Sequence, residues 1–320
     1  MIKSFIKRLC QSVPLKNDKG EFFYSFIEKK LERYIQLLKT IDSECLKPIL
    51  SDDLAMHGNQ TKQRFLNLME EIVSECLFIL QLSYNGDVFQ ATIRLQRLLT
   101  IRRVTNGRLV DMYANYFKFK VVDDSYYRCV VFNKDEKNVN CNHLPFNLRY
   151  KASTGRFNQL GTICFYASSS EELASSSVHV NVNDKRKKWM SEFKPRKKMY
   201  FLNLSVPKDE EIDSMNEYDQ FAFLITYPFF LLCLTESKVN DGQFVEEYLF
   251  SQLFIYLLCQ SNGGKLSFYR GICYTPMGKI KGNNIVVPIK YEEGLEPPKE
   301  GYSKYISDMF EEVKEPYLVD

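Results

Sequence analysis

No apolar run in the chain is long enough to cross a bilayer. The longest, Phe221 to Leu234, has fourteen residues and contains Pro228, whereas a spanning helix needs roughly twenty, so no membrane partner is expected. The opening MIKSFIKRLCQSVPLK has apolar positions between basic ones but no continuous apolar core and no small-residue cleavage site. A signal peptide is therefore not expected, and a cytoplasmic location is. Histidine is scarce, with only His57, His143 and His179. The nine cysteines include no Cys-x-x-Cys pair, and Cys76, Cys164, Cys233 and Cys259 sit in apolar segments, as small core thiols of a reducing compartment do. Cys141 and His143 form a Cys-x-His pair, but a structural zinc site takes four ligands, so no metal is expected. Charge of one sign is also lacking: the net is +3, too little to imply nucleic acid by itself. No internal repeat or low-complexity tract appears.

What is present is a globular composition, 45% apolar and 26% charged over 320 residues, enough for two domains. Residues 1–120 read as a helical bundle. Phe65, Met69, Ile72, Val73, Cys76 and Leu80 recur at helical spacing, and Phe22 to Leu38 repeats the rhythm. Asn85-Gly86-Asp87 breaks the chain and offers Asp87 as cap for a helix from Val88. From Tyr126 the pattern changes to short aromatic and β-branched runs: YYRCVVF, TICFYAS, MYFLNLSV and NIVVPI. Val245 to Gln260 reads as a helix among them. The fold class is α+β, since helices do not regularly separate the strands. The tail, 291–320, carries a net charge of −6 and is expected to pack as one short surface helix, Tyr302 to Val313.

The densest signal is GRFNQLGTICFYASSSEELASSSV, Gly155 to Val178. A turn carrying an arginine, a planar and permanent cation, precedes a strand that presents a tyrosine. That pairing suits a ligand with both phosphate and a flat ring, such as a dinucleotide. Taken alone, Arg156 reads as a surface arginine in a Gly-flanked turn, and Tyr166 as an ordinary strand aromatic packing in the core.

Several spaced segments together resemble the RES domain. Gly155, Arg156, Phe157, Asn158 and Gly161, then Tyr166 and Ala174, follow that family's first motif. YLFSQ (Tyr248 to Gln252), GICY (Gly271 to Tyr274) with GNNIVV, and YYRCVV at Tyr126 are similar to its later helix, its strand and return, and its opening strand. The resemblance covers about 125–290. It implies an ADP-ribosyltransferase-like fold with a mixed or antiparallel β core, and NAD as the substrate of a toxin that splits NAD or transfers ADP-ribose.

On that resemblance Arg156 is the family arginine and Tyr166 its ring-stacking tyrosine. Asn158, Gln252, Tyr274 and Arg128 are candidate NAD contacts. The family glutamate falls on Ser177, and the family serine on Pro276 with Thr275 beside it. Cleaving the nicotinamide bond builds positive charge on the ribose, and a serine supplies no countercharge. Glu172, with Glu171, or Glu246 and Glu247 are the possible substitutes. The helical region resembles a HEPN-like domain, without the Arg-to-His spacing of a nuclease before His57. It is expected to dimerise or to sense.

The expectation is an NAD-consuming RES-type toxin, NAD glycohydrolase or ADP-ribosyltransferase in chemistry, in a bacterial toxin-antitoxin or phage-defence setting. An inhibitory antitoxin or regulatory protein would be its partner. The alternative is a catalytically degenerate RES domain that binds a nucleotide or a protein. A weaker alternative is nucleic-acid binding through a basic loop, 185–198, around Trp189 and Phe193.

Overall fold

The computed structural model describes residues 1–17, 20–51, 61–100, 103–105, 108–110, 116–133, 139–178, 186–237, 244–260, 268–276, 278, 280–289 and 301–319. His57, His179, Lys185 and the tail stretch 291–300 lie outside the described residues. In chain order the elements are Ile2–Gln11 (α1), Phe23–Lys39 (α2), Ser43–Ser51 (α3), Thr61–Tyr84 (α4), Val88–Thr100 (α5), a small hairpin of Arg103–Thr105 (β1) and Arg108–Val110 (β2), Phe119–Val122 (β3) and Tyr126–Asn133 (β4). There follow Cys164–Ser168 (β5), Glu171–Ser176 (α6), Arg186–Pro195 (β6), Met199–Leu204 (β7), Asp209–Asp213 (α7), Glu217–Cys233 (α8) and Leu249–Gln260 (α9). Ile272–Tyr274 (β8), Asn284–Pro288 (β9), Tyr305–Met309 (α10), Phe310–Glu312 (β10) and Tyr317–Val319 (β11) complete the chain. The class is α+β, with N-terminal helices followed by a sheet domain.

The helical unit forms because α2 and α4 each carry one apolar stripe. Phe23, Ile27, Leu31 and Leu38 of α2 and Phe65, Met69, Ile72 and Cys76 of α4 are fully buried, and burying such a side chain stabilises by about 1.5–3 kcal/mol. Asp87 caps α5 through its side chain, accepting from Gln90 N–H at 3.1 Å. The run Phe221 to Leu234 is apolar all round, and as α8 it is buried on every side from Gln220 to Cys233; a helix of that kind is the centre of a bundle. α8 contains Pro228, which has no N–H to give the carbonyl of Leu224. The Tyr34 hydroxyl donates to that oxygen at 2.7 Å instead.

The second unit is built on a nine-stranded mixed sheet in the order β10-β6-β4-β5-β9-β8-β7-β3, with β11 also paired to β6. Among the described residues only β7 and β8 run parallel; the other pairings are antiparallel. One sheet face carries the main core, including Phe165, Phe193, Phe201, Ile285 and Phe310. The other holds a smaller cluster of Cys129, Ala174 and Met190 under α6.

The units are discontinuous in sequence. The helical one comprises Met1–Lys118 with Val206–Leu257, and the sheet one Phe119–Ser205 with Leu258–Asp320. α8 and most of α9, including Gln252, therefore belong with the N-terminal helices, unlike the linear division into 1–120, 125–290 and 291–320.

Two expectations need correction. The basic stretch 186–195 is not a loop but strand β6, with Phe193 buried and Trp189 packed on the core. Arg186, Lys187 and Lys194 are exposed along it, and Lys188 is half-buried and donates to Ser175 O at 2.9 Å. The tail is helical only over Tyr305–Met309 and then pairs twice with β6. Ile306, Met309 and Phe310 are core residues, which is why this tail is anchored to the sheet while Asp308, Glu311, Glu312 and Glu315 stay exposed.

Candidate functional site

The Gly155-Arg156-Phe157-Asn158 turn is closed on itself and then fastened to the sheet. Gly155 N–H donates to Asn158 O at 3.0 Å, and Asn158 N–H to Gly155 O at 3.2 Å. The Asn158 amide donates to Ser153 O at 2.8 Å. The Tyr166 hydroxyl, reaching up from β5, donates to Asn158 Oδ1 at 2.8 Å and accepts from Phe157 N–H at 3.1 Å. A side chain at residue 155 would collide with Asn158 Oδ1 and come within 3.1 Å of the Tyr166 hydroxyl, so only glycine fits this approach. Phe157 is fully buried and its ring lies 4.9 Å from that of Tyr274. Arg156 is held in this turn at 8% exposure. Tyr166 itself is half-buried.

Strand register shows what shares the face with Tyr166. Ser168 on β5 stands opposite Tyr127 on β4 and Asn284 on β9, and Asn284 stands opposite Tyr274 on β8. Residues directly opposite point to the same side, and so do residues two apart on one strand. Tyr166, Ser168, Asn284 and Tyr274 therefore line one face, under the Arg156 turn. The Asn284 amide donates to the Tyr274 hydroxyl at 3.4 Å. Its Oδ1 is buried and has no hydrogen-bond partner among the described residues, in a side chain 8% exposed. Such an acceptor is costly unless something donates to it. Thr275 is half-buried and Pro276 buried just beyond this row.

The remaining candidates are placed differently. Arg128 neighbours Tyr127 on β4, so it faces the opposite side of the sheet from the Tyr166 ring. Its guanidinium lies 5.2 Å from the centre of the Phe165 ring and donates to Tyr166 O at 2.8 Å. Its Nε is buried without a partner, and burial lowers its pKa. Ser177 is the exposed C-cap of α6, its hydroxyl bonded back to Leu173 O at 2.9 Å. Ser170 caps the other end of this helix by accepting from Leu173 N–H.

Of the substitute acids, Glu171 and Glu172 are exposed in the first turn of α6. Glu171 also faces Tyr317 of β11. Burial first, and this carboxylate second, raise the phenol's pKa. Glu246 is engaged in the helical unit, accepting from Phe23 N–H at 3.2 Å and from the Tyr84 hydroxyl at 2.9 Å. Glu247 and Gln252 are buried in that same unit.

The corner thus assembles a buried permanent cation, a half-exposed phenol ring and an unsatisfied amide oxygen. These can hold, respectively, an anion, a flat ring and an N–H donor such as an exocyclic amine or a carboxamide. The structure brings Arg156, Asn158, Tyr166 and Tyr274 together with Asn284, which the sequence reading did not single out. Its signal was available: an asparagine entering an otherwise apolar run, NIVVPI, is a polar group assigned to a buried strand. Both ring nitrogens of His143 are engaged, Nδ1 with Leu144 O at 2.7 Å and Nε2 with Ser303 N–H at 2.8 Å.

Among known proteins, the chain is similar to a Bacillus subtilis (strain 168) protein named "Putative toxin YopC", with 22% identity over 294 residues. The match covers 85% of this chain and 60% of that relative, so the chain spans about three fifths of the relative's length. No family model matches and no solved structure matches.

Proposed function

We propose that this chain is a toxin-like protein whose sheet unit binds NAD against the Arg156 corner and consumes it slowly. One observation carries the reading. A buried arginine turn is bolted to the sheet through Asn158 and the Tyr166 hydroxyl, on the same face as the unsatisfied Asn284 oxygen. Arg156 would take the pyrophosphate, the Tyr166 ring a base or the nicotinamide, and Asn284 Oδ1 an amide or amine N–H. The distant similarity to a protein named as a toxin supports the toxin role, and the resemblance to RES motifs supports NAD as the ligand.

Slow turnover follows from Ser177. Cleavage of the nicotinamide–ribose bond develops positive charge that a carboxylate would stabilise. Loss of one preorganised electrostatic partner costs about 10²–10³ in rate. NAD consumption by the purified full chain, followed by separation of NAD, nicotinamide and ADP-ribose, tests the reading. The expected result is low but enzyme-dependent NAD loss, abolished by Arg156→Ala and raised by Ser177→Glu. No NAD loss and no label transfer at high protein concentration would remove the catalytic part.

A second reading, NAD or nucleotide binding without turnover, is favoured by two observations: the Ser177 hydroxyl is used to close α6, and Glu171 faces Tyr317. Thermal stabilisation by NAD or ADP-ribose, lost in Arg156→Ala and unaccompanied by product, distinguishes it.

A further inference from the structure

The helical unit contains a cavity of about 290 Å³ that the proposed NAD chemistry does not use. Its walls come from α1, α2 and α8. Spacing on each helix explains why it exists: Phe5 and Leu9 of α1, Leu37 of α2 and Leu231 of α8 turn apolar side chains inward. Tyr34 and Tyr227 add an aromatic wall, with ring centres 4.8 Å apart. The hydroxyls of that wall are already satisfied. Tyr34 donates to Leu224 O, and Tyr227 shares a 2.8 Å hydrogen bond with Ser12. Burial raises the pKa of both phenols, that of Tyr227 to about 12, so this wall stays neutral.

The lining also includes three cations, Arg8 on α1 and Lys30 and Arg33 on α2. Arg8 and Arg33 are exposed and Lys30 is half-buried. None of the three has an ion-pair partner among the described residues. Other lysines of the same unit do find one, including Lys7 with Asp213 and Lys29 with Glu21. Arg8 and Lys30 rest over the rings of Phe5 and Phe26 at 5.7 and 5.1 Å. An apolar cavity ringed by cations with no carboxylate of their own has the charge and polarity pattern of a site for an amphiphilic anion.

We infer that this cavity binds a small amphiphilic anion, its apolar chain or ring against Leu9, Leu231 and the Tyr34–Tyr227 wall and its carboxylate or phosphate head among Arg8, Lys30 and Arg33. A cavity of about 290 Å³ is at the small end of ligand-binding cavities. That size fits a medium-chain acyl or an aryl acid and excludes a dinucleotide. The occupant is a free small molecule, and its binding is independent of the Arg156 corner.

Titration calorimetry and thermal shift on the full chain test this with decanoate as the probe, and with decyl phosphate as the second head group. Decanol, which has the body without the charge, and inorganic phosphate, which has the charge without the body, separate the two contributions. The expected result is saturable binding of decanoate or decyl phosphate, at least tenfold weaker for decanol and for phosphate. Arg8→Glu with Arg33→Glu should weaken decanoate at least tenfold. Both positions are exposed, so this variant keeps its fold, which its unfolding transition would verify. Leu231→Phe, which fills the cavity, should abolish binding. Arg156→Ala should leave it unchanged, so failure of the NAD reading and of this one are distinguishable. Decanoate bound equally by wild type and the double charge reversal, or association only with anionic vesicles and not with the monomeric acid, overturns the inference.

Discussion

The Tyr34 hydroxyl donates to the carbonyl oxygen of Leu224, the oxygen that Pro228 leaves without a helical N–H. An intruding proline in the central helix is thereby repaired from a neighbouring helix. Tyr34→Phe should destabilise the chain by about 1–3 kcal/mol, the penalty for a buried acceptor left unpaired. Pro228→Ala restores a donor within α8, so in that background the same tyrosine change should cost about 1 kcal/mol less. Urea unfolding of the four proteins measures the coupling, and additive effects would show that the two residues are unrelated.

Gly155→Ala should damage the candidate site more than any exposed change nearby. The added methyl meets Asn158 Oδ1 and lies near the Tyr166 hydroxyl, so the turn must open or the strand shift. An overpacked site of this kind costs about 1–3 kcal/mol. Stabilisation by NAD should disappear along with the turn, which a thermal-shift titration reads directly.

Arg128→Met is expected to behave in the opposite way. The guanidinium lies on the far face of the sheet from the Tyr166 ring, with Nε unpartnered and its charged form disfavoured by burial. Replacing an incompletely paired buried charge by an apolar chain of similar length is often neutral or stabilising. Melting temperature should hold or rise, and NAD affinity should stay within threefold of wild type by calorimetry. A tenfold loss of affinity would return Arg128 to the binding site.

The neutral imidazole of His143 is held by burial, which lowers its pKa below the ordinary histidine value of 6.5. Its Nε2 accepts from Ser303 N–H, a bond that protonation abolishes. Because the folded pKa lies below the unfolded one, the histidine contributes stability above about pH 6.5 that is lost as pH falls toward the folded pKa. Unfolding free energy of wild type and His143→Gln, compared from pH 7.5 to 5, should show a shallower acid-side decline in the variant.

Much of the fold was legible wherever local pattern and burial agree. YYRCVVF became β4 and NIVVPI became β9, because β-branched and aromatic runs fit a pleated buried surface. The stripe from Phe65 to Leu80 became α4. β6 is not legible locally because it opens on three consecutive basic residues, Arg186 to Lys188, and holds few apolar ones, Trp189, Met190 and Phe193; its pairing is decided by partners far away in sequence. The tail was misread for the same reason: Phe310 finds its place between Phe165 and the β6 edge, which no local window reveals. At the site, the arginine, asparagine and tyrosine could be read from one short segment. Asn284 joins them only through the register of β9 against β5.

The alternation of the two units along the chain also bears on how the protein is made. α2 emerges during synthesis with Phe23, Leu31 and Leu38 exposed, and the central helix they pack around lies beyond most of the strands. At bacterial or eukaryotic elongation rates that interval is on the order of 10–40 s. Throughout it the nascent helices present a sticky apolar surface, while the first strands wait in turn for β8 and β9. Neither unit can be complete before the other has begun, so burial of the helical core and closure of the sheet both wait on the last third of the chain.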